Sequence, residues 1–532
     1  MHVDSTCQND FCNPVVWLLA ICLLHGCWGE STKTEQTGGK TKTSQVIAQE
    51  GPAISRLNRE GKIAAEWEKP AAVLMLTGEV HGYLEPCGCS ETQSGGVSRR
   101  NDLLNQLKSR EWDVASLDLG GLLKRNRRQD EIKFSILREA MTIMDYKAMA
   151  LGKEELKFDP AQLITAVSDS TAEDAVLPFV SANVVLFGTP DLGTPAPYRI
   201  VQVGEAKFGV TSIFGDRYRS QVSAGSSGMQ GLIDFLPAAE KLKSAVETLK
   251  QNEVDAIVVL SHAPASETEK LIKEIPGIDI AVTSGGPEDP SGRLKKVEQT
   301  MVLEVGRKGK YAGVLGYFPD QENKFLFELV DLNKDRFKRT EQMEQLMASY
   351  QELLTAADLV HNEPALPTPN NDSYVGAKAC GECHTKAYEK WAASKHAHAT
   401  ETLIHGREGY AEAKWVSRIH DPECLACHST GWDPQQVIRY DTGYLSLDET
   451  AHLTGQSCEN CHGPGGAHST AEKEFLSSGG TPSEELLSLR SRIKLNLATA
   501  EQQVCSKCHD AENSPKFDFA KYWEKVVHRG KD

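Results

Sequence analysis

From about Pro70 to Leu332 the chain alternates short apolar runs with segments whose apolar residues recur at helical spacing. Ala71-Ala72-Val73-Leu74-Met75-Leu76 reads as a buried strand, followed by a glycine-rich turn and a helix around Arg100–Ser109. Asp113 to Asp118 is the next strand, and Glu131–Met144 the next helix. Val254 to Leu260 and Ile278 to Val282 continue the alternation, which predicts a layered α/β domain. Arg336–Ala357 is charged, with apolar residues at helical spacing, and the Pro-rich stretch 364–371 breaks it, so a connecting helix and linker are expected. Beyond Tyr374 few large apolar residues remain.

The N-terminus has a pattern of its own. Val15 to Leu24 is apolar but too short to span a bilayer comfortably, which suits a signal-peptide core. A polar Ser/Thr/Lys/Gly-rich stretch follows and reads as a tether. The expected organisation is a signal peptide over 1–27, a tether over 28–69, an α/β domain over 70–335, a helix and linker over 336–372, and a last domain over 373–532. At 532 residues there is room for a sizeable core. The net charge of -16 argues against nucleic acid and suits basic or redox partner proteins.

The last segment carries the strongest chemistry. Cys-x-x-Cys-His occurs four times, at Cys380/Cys383/His384, Cys424/Cys427/His428, Cys458/Cys461/His462 and Cys505/Cys508/His509. Two thiols at i and i+3 reach the two vinyl groups of one haem, and the adjacent imidazole takes an axial position on its iron. Paired Cys-x-x-Cys units also bind zinc, but zinc does not require a His after every second Cys. Four covalent c-type haems are therefore expected, with His384, His428, His462 and His509 as proximal ligands. Since c-type haem is fitted outside the bacterial cytoplasmic membrane, the chain is expected to be exported, in the periplasm or attached to the membrane facing it.

Function turns on the second axial ligand. Two imidazoles saturate the iron for electron transfer, whereas an open position binds a small molecule. His396, His468 and His528 are the distal candidates, with His398 in reserve and His405, His420 and His452 also in the segment. His396 lies twelve residues after His384, so on one helix it should serve a neighbouring haem. His468 follows a Gly-Pro-Gly-Gly turn, and His528 ends an amphipathic stretch that can return over the cluster. Three candidates for four irons leave one haem either five-coordinate or completed by His420 or His452.

Leu24-His25-Gly26-Cys27 resembles a bacterial lipoprotein cleavage box, which makes Cys27 the candidate lipid anchor to the membrane; an ordinary signal peptide is the alternative. Thr77-Gly78-Glu79-Val80-His81-Gly82, Leu117-Asp118-Leu119-Gly120-Gly121, Leu151-Gly152-Lys153-Glu154-Glu155, Phe179 to Val184 and Val259-Leu260-Ser261-His262 resemble, in order, the calcineurin-like metallophosphoesterase domain of secreted 5′-nucleotidases. The resemblance implies a calcineurin-like sandwich with a two-metal site. Here the ligand set is degenerate. Glu79 replaces an Asp, Gly121 stands for the bridging Asp, Lys153 and Glu154 replace Asn and His, and Gly286-Pro287-Glu288 replaces the final His pair. Glu79, His81 and His262 remain, enough for one additional metal at most. Cys87 and Cys89 follow His81 and are a candidate redox pair, and Gly95-Gly96 with Arg99-Arg100 is a candidate anion loop.

Tyr374 to His528, with its four motifs, Trp391 to Ala397 and Gly463 to His468, resembles the tetrahaem cytochromes c of nitrifying bacteria and the wider multihaem family. That implies a mainly α, haem-packed domain passing electrons between close haems. The expected function is an exported tetrahaem electron-transfer protein fused to a degenerate phosphoesterase-fold domain. Two alternatives stand beside it: an oxidoreductase acting on a small nitrogen or sulfur compound at a five-coordinate haem, and a 5′-nucleotidase-like hydrolase.

Overall fold

The structure, a computed structural model, describes residues 55–86, 93–158, 163, 178–189, 195–223, 232–406, 415–511 and 513–529. The apolar N-terminal run, Cys27, Cys87 and Cys89 lie outside them. The chain divides into two compact units, Met1–Gly51 and Pro52–Asp532, and all described residues belong to the second.

Two six-stranded sheets face each other across the first half. One contains β1 (Ser55–Asn58), β2 (Ala72–Thr77), β3 (Val114–Asp118) and β4 (Tyr146–Met149), closed on the other side by β13 (Tyr311–Tyr317) and β14 (Phe325–Asp331), in the order β1-β14-β13-β2-β3-β4. The other contains β6 (Tyr198–Val203), β7 (Ala206–Phe214), β9 (Ala256–Pro264), β10 (Ile280–Ser284), β11 (Lys295–Val297) and β12 (Thr300–Glu304), in the order β11-β12-β10-β9-β7-β6. A short pair, β5 (Val184–Leu186) and β8 (Ile233–Phe235), lies outside both. The central strands are buried on both faces, which is why they read as continuous apolar runs. Leu74, Leu76, Phe208, Val258, Val282 and Leu329 fill the space between the sheets. Helices α1 (Val97–Lys108) and α2 (Arg128–Ile143) cover the first sheet; α4 (Ala238–Gln251) and α5 (Ala265–Glu274) cover the second, with α3 (Asp216–Ser223) at its edge.

The expected connecting helix begins later and does more than connect. As α6 (Glu341–Ala357) it buries Met343, Leu346, Tyr350 and Leu354 in the same core as α1 and α2. The Pro-rich stretch after it is also tied down: Leu366 bridges Tyr440, and the backbone N–H of Thr368 donates to Asp441 at 3.0 Å.

The remaining segment is mainly short helices, among them Thr385–Ala392, Pro422–His428, Cys458–His462, Gly466–Ser478, Glu484–Arg492 and Phe519–Val526. Its apolar cluster consists of Val360, Leu403, Leu425, Ala426, Trp432, Tyr444 and Leu453. No described helix is long and apolar enough to cross a membrane.

One buried carboxylate closes the first sheet. Glu328 on β14 accepts hydrogen bonds from Arg56 Nε at 2.6 Å, Asn58 Nδ2 at 2.8 Å and the Ala64 backbone N–H at 2.8 Å. Removing it leaves the buried Ala64 N–H without its acceptor and takes a charged acceptor from Arg56 and Asn58, which keep Glu66 and the Lys62 carbonyl. Glu328→Ala should therefore cost about 1.5–3 kcal/mol in urea unfolding followed by tryptophan fluorescence. A loss below about 1 kcal/mol, the value of an exposed pair, would show that the network is dispensable.

Candidate functional site

Each Cys-x-x-Cys-His motif folds around one helical turn. The His384 N–H bonds to the Cys380 carbonyl at 2.9 Å and the His509 N–H to that of Cys505 at 2.8 Å. The second and third motifs lie inside Pro422–His428 and Cys458–His462. Asp421 caps the former by accepting from the Glu423 N–H, and Ser457 caps the latter by accepting from the Glu459 N–H.

The eight motif cysteines are not equivalent. Cys383 and Cys508 differ from the rest in their placement. Cys383 does not lie in a helix: it falls in the turn after Ala377–Gly381, and it is exposed where the other seven are partly buried. Cys508 likewise does not lie in a helix, since the 3-10 turn Cys505–Lys507 ends just before it. The reason is local. In both motifs the second cysteine's N–H reaches back only three residues, from Cys383 to the Cys380 carbonyl and from Cys508 to the Cys505 carbonyl, each at 3.3 Å. The protein therefore provides little cover at Cys383, and a macrocycle joined there would itself shield the sulfur.

The imidazoles are oriented by their Nδ1 atoms. His428 Nδ1 donates to the Ala399 carbonyl at 2.8 Å, His462 Nδ1 to Ile493 at 2.7 Å and His528 Nδ1 to Val526 at 3.0 Å. His509 Nδ1 meets the Ser514 hydroxyl at 3.0 Å, and its ring stacks on Phe517 at 4.5 Å. Tying Nδ1 to an oxygen fixes the tautomer that leaves Nε2 for a metal. Burial lowers the pKa of His396, His462, His468 and His509, which favours the neutral, ligating form.

Two pairs of imidazole rings lie close together at a tilt. The centroids of His396 and His509 are 6.1 Å apart, and those of His462 and His528 are 5.9 Å apart. Two imidazoles on opposite faces of one iron have this spacing, since a metal–nitrogen bond of about 2 Å on each side gives roughly 6 Å between ring centres. The residues present therefore fit haem. His468 lies within electrostatic reach of His384. His396, His468 and His528 are half-buried, whereas His398, His405, His420 and His452 are exposed.

Glu459, inside the third motif, is a structural residue that motif reading missed. Its buried carboxylate accepts the backbone N–H groups of Val375, Gly376 and Gly465, tying the approach to the first motif onto the third. An acidic residue between two cysteines looks solvent-facing in sequence.

In the central domain Glu79, His81 and His262 converge at the C-terminal ends of β2 and β9. Glu79 and His81 adopt left-handed backbones (φ 48° and 51°), a strain typical of functional loops. Their N–H groups bond to the Gly120 and Gly121 carbonyls at 2.8 and 3.0 Å. His81 Nε2 lies 3.8 Å from Glu79. Buried His262 bonds through Nδ1 to the Leu119 carbonyl at 3.2 Å and stacks on Phe214 at 5.6 Å.

The rest of the cluster is reassigned. Gly121 has φ +75°, and a Cβ there would lie 3.3 Å from both His262 Cε1 and Glu79 Cα, so a carboxylate is disfavoured at this position. Lys153 Nζ approaches Gln221 at 3.4 Å and Glu154 at 3.7 Å. Glu288 is engaged by Lys308 at 2.7 Å and by Lys310. Burial pushes Glu79 up to about 7 and His262 down to about 4; burial, then the charges of His262, Arg307 and Lys153, push His81 down to about 3. Among the described residues no group of three or more His, Cys, Asp or Glu is arranged to hold a metal ion. The expected anion loop is also otherwise occupied: Arg100 is buried 3.8 Å from Asp118, and Arg99 donates to the Gln93 and Leu332 carbonyls.

Comparison with known proteins separates the two halves. Residues 379–463 match the family model described as cytochrome c554 and c-prime. Cytochrome c-554 of Nitrosomonas europaea is 30% identical over 155 residues, covering 27% of this chain and 60% of that protein. The central region is similar to the 5′-nucleotidase of Rattus norvegicus, 27% identical over 305 residues, covering 51% of this chain and 50% of the rat protein. A solved 5′-nucleotidase precursor from Thermus thermophilus is 24% identical, with a TM-score of 0.46, covering 58% of this chain and 62% of that one. The chain spans about half the length of the curated nucleotidases it matches. It thus joins a region homologous to 5′-nucleotidases to a cytochrome c554-type segment, whose family match implies covalent haem.

Glu155, next to the altered Lys153 and Glu154, holds the Gly121 loop by accepting the Gly121 and Leu123 N–H groups at 3.2 and 3.0 Å. Burial pushes its carboxyl up to about 7 from an ordinary 4.5. A raised folded-state value means that its contribution to stability is complete below pH 4.5 and is lost as pH rises through about 7. Glu155→Gln removes this titration. Between pH 4.5 and 8 the stability of the variant relative to wild type should rise by up to about 3 kcal/mol in urea unfolding. A difference that stays constant with pH would sink the assignment.

Proposed function

We propose that this chain is an exported electron-transfer protein carrying four c-type haems, with a phosphoesterase-type domain that has given up two-metal hydrolysis. The observation that carries the reading is the pairing of imidazoles, His396 with His509 and His462 with His528, at 6.1 and 5.9 Å. Bound c-type haem supplies a one-electron couple, and ligation by two imidazoles leaves its iron no open position.

Within this reading Cys380/Cys383, Cys424/Cys427, Cys458/Cys461 and Cys505/Cys508 form the thioether links, and His384, His428, His462 and His509 are the proximal ligands. His396 and His528 are the distal partners of His509 and His462, and His468 serves His384. The hydrogen bonds from Nδ1 to Ala399 and Ile493 hold the His428 and His462 rings in place through a redox cycle, which favours fast transfer. The homology of both halves to a cytochrome c-554 and to 5′-nucleotidases supports an extracytoplasmic location. We place it in the periplasm or anchored to the membrane through Cys27, exchanging electrons with redox proteins that meet an acidic surface. Gly121 and Lys153 stand against a metal cluster at Glu79, His81 and His262, so no hydrolytic step is assigned there.

His396→Ala should turn one low-spin haem high-spin and open it to carbon monoxide, and His528→Ala should do the same to a different haem. EPR of the oxidised protein and visible spectra of the reduced protein read both changes. Variants indistinguishable from wild type would overturn the pairing. A wild-type iron that already binds carbon monoxide and turns over a small nitrogen or sulfur compound would make this an oxidoreductase instead. Phosphate-ester turnover with added manganese or zinc would restore the hydrolase.

A further inference from the structure

The helix that carries the second haem motif is gripped by the central domain. Its cap, Asp421, accepts hydrogen bonds from Gln129 Nε2 at 2.8 Å and Gln351 Nε2 at 3.1 Å. Glu423, directly before Cys424, accepts from Lys133 Nζ at 2.5 Å and Arg125 Nη1 at 3.1 Å. Arg418 pairs with Glu85 at 2.6 Å, and Arg127 donates to the Gln436 carbonyl at 2.7 Å.

Lys133 has a side chain only 5% exposed and Glu423 one 32% exposed, so the cation of this ion pair is buried while its carboxylate keeps partial contact with water. Such pairs add little net stability over apolar packing of the same shape, and what they contribute is register. On its inner side Lys133 touches the loop of the residual phosphoesterase site: a Cβ on Gly82, the neighbour of His81, would lie 3.5 Å from its Nζ. A single buried cation therefore lies between that loop and the first turn of the second haem motif.

We propose that Lys133 and Glu423 are a positioning pair for the second haem, through which the central domain holds the helix Pro422–His428 in register and sets that haem's potential apart from the others. This rests on the haem reading above. The sign follows from electrostatics. Oxidised iron carries one more positive charge than reduced iron, so a nearby cation raises the potential and a nearby anion lowers it. Lys133→Met leaves Glu423 undercompensated and lowers the potential of the second haem. Glu423→Gln leaves Lys133 uncompensated and raises it. The double variant returns towards wild type.

The test is a mediated redox titration of the haem-loaded full chain, with EPR to assign each haem, after a haemochrome count. The expected result is one midpoint of four moving, in opposite directions for the two single variants. Arg125→Gln, at a more exposed position, should move it in the same direction as Lys133→Met and by less, and serves if Lys133→Met fails to accumulate. Four haems present with no midpoint moved, both variants shifting the same way, or all four midpoints moving together would overturn this inference alone. A chain with no haem at Cys424 and Cys427 would overturn the functional reading along with it.

Discussion

In the proposed function, haem ligation would do in the last third of the chain what interleaved aliphatic side chains do in the middle. The two central sheets are held by strands buried on both faces, with Leu74, Leu76, Phe208 and Leu329 between them. The haem segment, by contrast, has short helices around a cluster of seven buried apolar residues. A segment of that size does not repay its chain entropy with so small a core. In the proposed function, metal–imidazole and thioether bonds would make up the difference, joining His396 to His509 and His462 to His528 across the segment.

The central domain keeps a strand framework similar to that of 5′-nucleotidases around an altered set of residues. Strand ends still present Glu79, His81 and His262, and the loops still zip together through Gly120 and Gly121. What changed is charge and reach. Gly121 supplies no carboxylate, Lys153 brings a cation, and Glu288 is taken up by Lys308 and Lys310. The same domain then presents Lys133, Arg125 and Gln129 to the second haem motif. The two halves are thus joined through a polar contact made mainly by α2 and the loop before it.

Much of this was legible in the sequence because covalent chemistry and strand burial impose short, local patterns. The haem motifs announce themselves by spacing, and β2, β3, β9 and β10 by short, mostly apolar runs. Spacing does not show how each motif is backed, so the turn positions of Cys383 and Cys508 differ from what four identical motifs suggest. The buried carboxylates were not legible either. Glu328 meets Ala64 across 264 positions, Glu459 meets Val375 across 84, and Glu155 meets Gly121 across 34. In sequence each is one more acid on a charged chain, and only the fold reveals the backbone N–H groups it satisfies. The candidate distal histidines His396, His468 and His528 fall between these cases: the sequence could single them out but not say which rings lie near them. The apolar stripe of α6 likewise does not say in sequence which core it joins.

The most direct test is the intact mass of the chain matured in a host that attaches c-type haem, followed by peptide mapping. The account predicts four haem additions, one on each peptide containing Cys380/Cys383, Cys424/Cys427, Cys458/Cys461 and Cys505/Cys508. Fewer additions, or zinc in place of haem at any of the four motifs, would contradict it.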